Sequence, residues 1–550
     1  MRILRGPGLI FNSRYRRFGS FNTAMGKTIT LTEQEVTLRQ LLLDASDYIG
    51  TLEGCTKPEL RITGGWVRDK LLGTQSMDID IGIDTMTGFR FGNLMKQYLA
   101  QPETQSKYHK DVLGGLAKIE ANPEKSKHLE TVNTRILGLD IDLVNLRKET
   151  YVEDSRNPTM EFGTPEEDAL RRDATVNALF YNLSTSKVED FTRRGLEDME
   201  RKVIKTPLAP LQTFKDDPLR VLRAIRFASR LDYQIAAEDE AAMRDASIKD
   251  ALKLKISRER VGVEVTKMLK GPRPHIALSL IDRLGLYNEV FTDPINPECK
   301  AVETDRWLRA YNQLFDLTKA KSGGSESSGA MQIIAPILLR NSDDVFLAWM
   351  LTCFVPWAKE TPKLPKKPTS KKLPSPGSFA AREGIKADNK ICKLVDDAVA
   401  HLQEISVIKD AVNNDDLQTT SPLKRKQGVT SREGQGQAIR AWGSHWRSSV
   451  MYALLTQVAE TETPTECQKI LNDYATWLSG LKSLNLLDVD QLKPIVNGKD
   501  LAEALGTKNG PWMKKALDIA MEWQLRNPEE TDTAGGIAEV VERKKELGIT

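Results

Sequence analysis

The stretch that decides the fold is Arg61–Asp84, which reads RITGGWVRDKLLGTQSMDIDIGID. A glycine turn at Gly64–Gly65 leads into Arg68 and an apolar run. Further along, the acidic and apolar residues around Asp78 and Asp80 alternate as they do in a strand. Because successive strand side chains point to opposite faces, these two carboxylates share a face and lie close together.

Two carboxylates held that close repel each other unless a cation joins them, and magnesium is the usual cation beside nucleotide phosphates. The glycine turn lets the backbone approach phosphate oxygens, and Arg68 can pair with them. An isolated acidic pair is more often a solvated turn, and an isolated glycine pair is only a bend. Their order and spacing together favour a metal and nucleotide site.

The composition is that of an ordinary globular protein. The chain has 550 residues, enough for several domains, of which 40% are hydrophobic and 28% charged. With a net charge of only +3, nucleic-acid binding needs locally clustered positive charge. The five cysteines form no CxxC pair, so we expect neither zinc nor a disulfide framework. Since there is no run of eighteen apolar residues, no membrane span is expected.

The N-terminal residues 1–28 are basic and hydroxylated, and no acidic residue precedes Glu33. This composition is typical of a mitochondrial transit peptide and predicts location in the mitochondrial matrix. The alternative is a disordered basic arm that touches RNA. A second start at Met25 would give a cytoplasmic or nuclear form.

The segments that follow predict a mixed domain. Residues Thr32–Ile49 have apolar residues at helical spacing, and Gln101–Gly115 is polar and is interpreted as a mobile loop. Leu116–Glu120 predicts one strand and Thr131–Arg147 predicts two. The second of these two contains Asp142, which is either a third carboxylate beside the first two or an acidic residue of a hairpin turn.

A helix is predicted over Glu166–Tyr181, which reads EEDALRRDATVNALFY. Arg172, Asp173 and Asn177 place donors and acceptors within about one turn. Asp173 and Asn177 would share a helix face and could hold a ribose hydroxyl. The alternative is a surface charge pair.

The stretch Thr213–Leu231 predicts a helix with Pro218 in its first turn and Asp217 just before it. An arginine ridge then recurs every three residues, and its members are Arg220, Arg223 and Arg226. The alternative is a solvated face. Because arginine presents a planar fork of donors and aspartate an acceptor, an Arg–Asp pair can imitate the Watson–Crick edge of a base.

The remainder of the chain is predicted to be helical, apart from two polar stretches. Residues 356–380 are rich in proline and lysine and predict a linker. Lys424, Arg425 and Lys426 lie in the second stretch, which is either a solvated loop or a site for nuclear import or RNA contact.

The order of these segments resembles one family. GGWVRD followed by DIDI, RRDATVNA, EDFTRRG, DDPLRVLRAIRFASRL and SRERVGVEVTKML resemble motifs A to E of the class II tRNA nucleotidyltransferases, the CCA-adding enzymes. The resemblance is strong over Arg61–Pro274 and less firm beyond it. The extensions and the linker are similar to the fungal branch.

The resemblance implies an α+β fold, with a polymerase-β-like nucleotidyltransferase head followed by an all-α neck, body and tail. The implied divisions are a transit peptide at 1–28, the head at 29–200, the neck at 201–290, helical body at 291–355, the linker at 356–380, and body and tail that bind tRNA at 381–550.

The resemblance also implies an activity. C, C and A would be added in turn to the 3′ end of tRNA from CTP and ATP, without a nucleic-acid template, by two-metal transfer with Mg²⁺ and release of pyrophosphate. Asp78 and Asp80 would hold the metal, and Asp142 would join them in catalysis. We expect a monomer that acts on tRNA, with no membrane and no zinc.

Each remaining motif carries an implied role. Gly64, Gly65 and Arg68 would contact the triphosphate. Arg172, Asp173 and Asn177 would bind the nucleotide and its ribose. The residues that would read the base are Asp217, Arg220, Arg223 and Arg226.

Some features depart from the family pattern or occupy a special place in it. Gln101–Gly115 stands where the family has a flexible loop associated with the switch to adenosine. Ala174 stands where phenylalanine is common, and Asp216 where glutamate is common. Neither departure alters Asp217 or Arg220.

Two other functions remain open at this point. A bacterial-type poly(A) polymerase shares this catalytic architecture, and a non-catalytic RNA-binding protein could be built on a decayed head. The second alternative predicts loss of a metal carboxylate or of the arginine ridge, and the sequence retains both.

Overall fold

The computed structural model describes residues 28–76, 78–108, 112–119, 131–150, 159–293, 301–323, 328–361, 373–416 and 428–549. Residues 1–27, with Met25, and the basic triplet Lys424–Lys426 lie outside the described residues. The chain forms two compact units. The first runs to Thr150 and takes in Thr159–Leu170 and Asn177–Gly195, and the second comprises Arg171–Val176 and the chain from Leu196 onward.

The first unit is built on a seven-stranded mixed sheet of order β3-β4-β5-β2-β1-β8-β9, with a separate antiparallel pair β6-β7. The strands are β1 Leu60–Thr63, β2 Ile79–Ile83, β3 Ala117–Ile119, β4 Thr131–Ile136, β5 Leu139–Asn145, β6 Arg147–Thr150, β7 Thr159–Phe162, β8 Phe180–Asn182 and β9 Lys187–Glu189. The two strands predicted within Thr131–Arg147 and the strand predicted at Leu116–Glu120 are thereby confirmed.

Five helices accompany this sheet: α1 Glu33–Thr51, α2 Gly65–Leu71, α3 Gly88–Leu99, α4 Pro102–Lys107 and α5 Pro165–Leu170. Helix α1 confirms the predicted amphipathic helix, since Leu38, Leu41 and Leu42 are fully buried. A capping box between Thr32 and Glu35 fixes its first turn.

The second unit is helical apart from the short parallel pair β10 Val203–Ile204 and β11 Gln234–Ile235. Its helices, with α6 at the unit boundary, are α6 Gly195–Glu200, α7 Pro210–Asp216, α8 Leu219–Leu231, α9 Ala237–Met243, α10 Ala246–Lys255, α11 Arg258–Leu269, α12 Pro274–Arg283, α13 Tyr287–Phe291, α14 Trp307–Lys321, α15 Gly329–Leu338, α16 Ser342–Thr352, α17 Pro376–Ile385, α18 Asn389–Asn413, α19 Arg432–Trp442, α20 Trp446–Ala459, α21 Pro464–Ser483, α22 Gly498–Ala504, α23 Trp512–Arg526 and α24 Ala534–Glu542. This architecture confirms the predicted fold class.

Helix α20 is the centre of the second unit. Every residue in it except Gln457 is buried, and α14, α16, α18 and α21 pack around it. A helix that is apolar on all sides belongs in the interior of a bundle. The last three helices form a core of their own, with Val496, Leu501, Ile519 and Val540 buried.

Helix α11 packs against both α8 and α17. A Cβ placed on Gly262 would lie 1.9 Å from the carbonyl oxygen of Ile385, so only glycine allows this approach of α11 to α17. Arg258 reinforces the contact, because its Nε donates to the Gly384 carbonyl at 2.6 Å and its Nη2 to the Val290 carbonyl at 2.6 Å.

The predicted helix at Glu166–Tyr181 is wrong beyond its first turns. Helix α5 ends at Leu170, a 3₁₀ turn covers Thr175–Asn177, and β8 follows. Strand β8 pairs with β1, and this pairing outweighs the local helical pattern. Asp173 and Asn177 therefore do not share a helix face.

Two other segments differ from the sequence interpretation. The polar stretch Gln101–Gly115 contains α4, which begins with Pro102 at a position that suits proline. Helix α17 begins at Pro376, inside the predicted linker 356–380, whose residues 362–372 lie outside the described part. Among the described helices, none is long and apolar enough to cross a bilayer.

Candidate active site

Four polar residues form a row across adjacent strands of the sheet. Thr63 on β1 lies opposite Asp80 on β2, Asp80 lies opposite Asp142 on β5, and Asp142 lies opposite Asn133 on β4. Residues in register on neighbouring strands point to the same face. The register therefore aligns two of the three predicted carboxylates and places Asp142 inside a strand, not in a hairpin turn.

The third predicted carboxylate, Asp78, lies close enough to this row to affect the pKa of Asp142. Burial raises the pKa of Asp142, and the nearby Asp78 carboxylate raises it further. The Asn133 amide donates to Asp142 and acts in the opposite direction. Asp78 itself is exposed, just before β2. The structure thus brings together Asp78, Asp80 and Asp142, a cluster of negative charge on one face of the sheet.

The donor set fits a hard divalent cation that shares its ligands with substrate. Among the described residues, no group of three or more His, Cys, Asp or Glu side chains is placed so that the group itself could hold a metal ion. Magnesium is bound by one or two carboxylates and keeps waters and phosphate oxygens as its other ligands. The exposed Asp78 carboxylate, which raises the pKa of Asp142, and Asp80 in register with Asp142 are consistent with such a site.

The glycine turn adjoins this row. Gly64 follows Thr63 directly, and its φ of 78° is a left-handed value that favours glycine. A Cβ placed on Gly65 would lie 3.4 Å from Nη2 of Arg68, so the guanidinium lies immediately beside the turn. Positive charge therefore lies beside the partly exposed Gly65, as a phosphate site requires.

Arg68 is almost fully buried, at 2% exposure, and is held by acceptors. Its Nε and Nη2 lie 2.8 and 2.6 Å from Oδ1 of Asp69, and its Nη1 donates to Oδ1 of Asn177. Two residues with different predicted roles, Arg68 and Asn177, are thus brought together within the first unit. No role was predicted for Asp69, although an acidic residue directly after an arginine is a sequence signal for such a pair.

The arginine ridge lies in the second unit and is not a solvated face. Arg220 is 8% exposed, and its Nη2 donates to the carbonyl of Arg171 at 2.7 Å. Arg223 Nε lies 2.5 Å from Oδ2 of Asp173. That carboxylate is the main cause of the raised pKa of Arg223. Although the helical pairing of Asp173 was wrong, Asp173 belongs to the same charged cluster as the ridge.

Helix α11 supplies two residues that the sequence analysis did not single out. Arg226 Nε lies 2.5 Å from Oε2 of Glu264, and Arg260 Nη2 lies 3.6 Å from Oδ2 of Asp217. Arg260 and Glu264 are four residues apart and so share a face of α11. This four-residue spacing was the available signal for a second polar ridge.

The arginine ridge also packs on an aromatic ring. The guanidinium carbons of Arg226 and Arg223 lie 4.2 and 5.5 Å from the ring centre of Phe227. Arg172 is half-buried in the bend between α5 and the 3₁₀ turn. The carboxylates and the glycine turn belong to the first unit, and Arg172, Asp173 and the ridge to the second.

Two family models match the chain. The poly A polymerase head domain matches residues 60–205, which include the carboxylate row and the glycine turn. A model described as the probable RNA and SrmB-binding site of polymerase A matches residues 232–301.

Similar proteins span nearly the whole chain. The nucleotidyltransferase lcsQ of Purpureocillium lilacinum is 42% identical over 96% of this chain and 94% of its own. The mitochondrial CCA tRNA nucleotidyltransferase of Saccharomyces cerevisiae is 38% identical over 92% of both chains. The tRNA nucleotidyltransferase cca1 of Schizosaccharomyces pombe is 35% identical over 92% of this chain and 95% of its own.

Solved structures show the same fold at low sequence identity. A CCA-adding enzyme in complex with ATP has a TM-score of 0.60 at 17% identity and covers 94% of this chain and 95% of its own. The Bacillus stearothermophilus CCA-adding enzyme in complex with CTP has a TM-score of 0.55 at 19% identity, covering 94% and 99%.

Proposed function

The chain belongs to the family of the tRNA nucleotidyltransferases, the CCA-adding enzymes, and on that premise we propose that it completes the 3′ end of tRNA. It adds C, C and A in turn from CTP and ATP, without a nucleic-acid template, and releases pyrophosphate. The observation that carries this proposal is the register of Asp80 with Asp142 in a chain related to fungal tRNA nucleotidyltransferases over nearly its whole length.

Nucleotidyltransferases of this family use divalent metals, and we propose Mg²⁺ held by Asp78 and Asp80, with Asp142 beside them. When bound, the metal lowers the pKa of the attacking 3′-hydroxyl and neutralises the triphosphate. The three carboxylates would fix the positive charge of the metal at one face of the sheet. The repulsion between Asp78 and Asp142 supports the assignment, because it is relieved when a cation is bound.

The glycine turn is proposed to bind the triphosphate. The backbone at Gly64 and Gly65 can come close to phosphate oxygens, and the buried charge of Arg68 lies beside it. Asp173 and Asn177 are proposed to hold the ribose, and Arg172 the nucleotide. Each of these two ribose residues already has a charged partner that fixes its rotamer.

Base selection is proposed to rest on Asp217 and Arg220. Asp217 offers an acceptor and Arg220 a fork of donors, which together match the edge of cytosine or adenine. Asp217 is oriented by its ion pair with Arg260, and Arg220 by its hydrogen bond to the Arg171 carbonyl. Arg223 and Arg226 extend the same surface. They are oriented by their ion pairs with Asp173 and Glu264, respectively. The bases would thus be read by side chains that are already ordered.

Location and assembly complete the proposal. Mitochondrial relatives support a mitochondrial enzyme. We further propose a cytoplasmic or nuclear form that starts at Met25, and a monomer without zinc. Imaging of Met1→Ala and Met25→Ala variants tests the two starts, and light scattering with metal analysis tests the monomer and its metal content.

The experiment for the main function uses tRNA that lacks its 3′ CCA, with Mg²⁺ and labelled CTP or ATP, singly and together. We expect C-C with CTP alone and C-C-A with both nucleotides. A long A tract would instead indicate a poly(A) polymerase, and no incorporation by the folded protein would indicate an RNA-binding protein. Asp78→Ala and Asp80→Ala should abolish incorporation.

A further inference from the structure

Helix α1 is joined to α2, the helix that follows the glycine turn, by a buried carboxylate. Glu35 is only 6% exposed. It accepts hydrogen bonds from the Thr32 backbone N–H at 2.7 Å, the Trp66 indole Nε1 at 3.2 Å and the Lys70 ammonium at 2.6 Å. The last two donors both lie on α2.

Glu35 contacts a single face of α2. Trp66 and Lys70 are four residues apart and share a face, and the Lys70 ammonium lies 5.4 Å from the centre of the Trp66 ring. Arg68 is between them in sequence and therefore projects on the other side of the helix, where it bonds Asp69 and Asn177. Glu35 therefore contacts one side of α2, and the residues predicted to bind the triphosphate face away from Glu35.

The carboxylate is ionised in this contact. Burial by itself would raise the pKa of Glu35, but the hydrogen bonds from Lys70 and Thr32 outweigh burial and lower that pKa. An ionised carboxylate beside a nearly buried ammonium is a directional link, because either partner alone would be an uncompensated charge.

Helix α1 is itself fixed to the sheet. Its apolar face is buried, Arg39 Nε donates to the Leu183 carbonyl at 2.6 Å, and Gln34 donates to the carbonyl of Leu137 in the turn between β4 and β5. The matching head-domain model begins at residue 60, so α1 precedes the matched head. Glu35 thus ties the nucleotide-binding turn to an element outside the matched domain.

We propose that Glu35 is a positioning residue for nucleotidyl transfer, which sets the angle and depth of α2 so that Gly64, Gly65 and Arg68 meet the triphosphate. This inference rests on the proposed function, because it assumes that the glycine turn binds the nucleotide. Glu35 acts through Lys70 and Trp66 and does not touch substrate.

The test compares three variants of the full chain. Glu35→Gln keeps an acceptor for Trp66 but leaves the Lys70 ammonium without its counter-charge, and Lys70→Met leaves the carboxylate without its own. The double variant removes both charges, which is less disruptive than removing one. Glu33→Gln, an exposed position in the first turn of the same helix, is the matched control.

The readouts are the Kd of CTP and of ATP without tRNA, and the KM and kcat for nucleotide and for tRNA. We expect each single variant to raise Kd and KM for both nucleotides about tenfold, equivalent to about 1.4 kcal/mol, while KM for tRNA stays unchanged. The double variant should return to within about threefold of the natural chain, and Glu33→Gln should match it.

A folded Glu35→Gln variant with the nucleotide Kd of the natural chain would overturn the proposal. So would a parallel loss of nucleotide and tRNA affinity that follows the folded fraction measured by circular dichroism, since this would indicate a purely structural link. If the natural chain binds CTP but does not extend tRNA, the proposed function fails, whereas the Kd comparison still decides the role of Glu35.

Discussion

Arg226 Nε lies 2.5 Å from Glu264 Oε2, and the two side chains are 12% and 5% exposed. This ion pair joins α8, which carries the proposed base-reading residues, to α11. A pair so well buried contributes less through its own attraction than through the cost of breaking it, because the remaining charge has no counter-charge.

Glu264→Gln is therefore expected to lower the free energy of unfolding by about 2–4 kcal/mol and to shift the ratio of CTP to ATP incorporation. Guanidinium unfolding and single-nucleotide incorporation measure the two effects. Glu259→Gln, at an exposed position of the same helix, should change neither. An unchanged nucleotide ratio in folded Glu264→Gln would mean that α11 does not influence base selection.

Gly262→Ala is expected to destabilise the protein by about 3 kcal/mol or more, because its methyl group would collide with the Ile385 carbonyl. Gly480→Ala in α21 is the matched control. A Cβ at Gly480 meets nothing within 4 Å, so the higher helix propensity of alanine should stabilise the protein by about 0.5–1 kcal/mol. Equal effects of the two changes in thermal unfolding would contradict the close approach of α11 to α17.

Asp142→Asn is expected to lower kcat about a hundredfold, since it removes one of the three clustered carboxylates. The same change should slightly raise stability at neutral pH without metal, because a raised pKa means that the ionised form is disfavoured in the fold. Asp140→Asn is the matched control on the same strand, since Asp140 is exposed and pairs with Arg135. It should retain full activity, and loss of activity in both variants would argue against the assignment.

Asp44→Asn is expected to reduce addition of A more than addition of C. Asp44 on α1 accepts from Lys107 and, at 2.7 Å, from Tyr108, so it anchors the segment that stands where the family has its flexible loop. Gel analysis of products from CTP alone and from both nucleotides gives the ratio. Asp47, on the same helix, forms an exposed ion pair with Lys57. Asp47→Asn breaks this pair and should leave that ratio unchanged. A proportional loss of C and A addition in Asp44→Asn would contradict a role in the switch.

His275 is expected to make the second unit sensitive to acid. Its ring stacks 3.5 Å from Phe315, and burial, followed by the charges of Lys319 and Arg273, lowers its pKa from 6.5 to about 4. Asp232 opposes this shift. The stabilising contribution is present above about pH 6.5 and is lost as the pH falls towards 4, because the unfolded chain binds the proton first.

His275→Gln should remove about 1–3 kcal/mol of the difference in unfolding free energy between pH 7 and pH 4.5. Urea unfolding at both values measures it. His445→Gln, at an exposed position, should retain the full difference. An equal pH response in the His275 variant and the natural chain would exclude this histidine as the acid-sensitive group.

The part of the site that follows local rules could be predicted from the sequence. Strand alternation is enough to place Asp78 and Asp80 on one face, and the three-residue spacing is enough to identify the arginine ridge. The prediction failed at Glu166–Tyr181, because β8 pairs with the distant strand β1 as well as with its neighbour β9, and the Thr175 N–H donates to the Lys205 carbonyl. Strand β1 and Lys205 both lie outside the local window of sequence.

The partners of the predicted residues were harder to find than the residues themselves. Glu264 is 38 residues from Arg226, and Glu35 is 35 residues from Lys70. A single sequence indicates which side chains carry chemistry, whereas the side chains that orient them depend on how helices cross. The hydrogen-bonded supports of the site therefore came from the structure.

The contact of Arg258 with the Gly384 carbonyl spans 126 residues and has a consequence for synthesis of the chain. Helix α8 packs on α11, but α11 makes its contacts with α17 only after α17 has left the ribosome, on the order of ten seconds after α11 itself. A nascent chain halted before residue 385 would carry every side chain proposed to read the base and still lack the support that α17 gives to α11. If those proposed roles hold, nucleotide selection becomes possible only late in synthesis, and a truncated product is expected to be inactive.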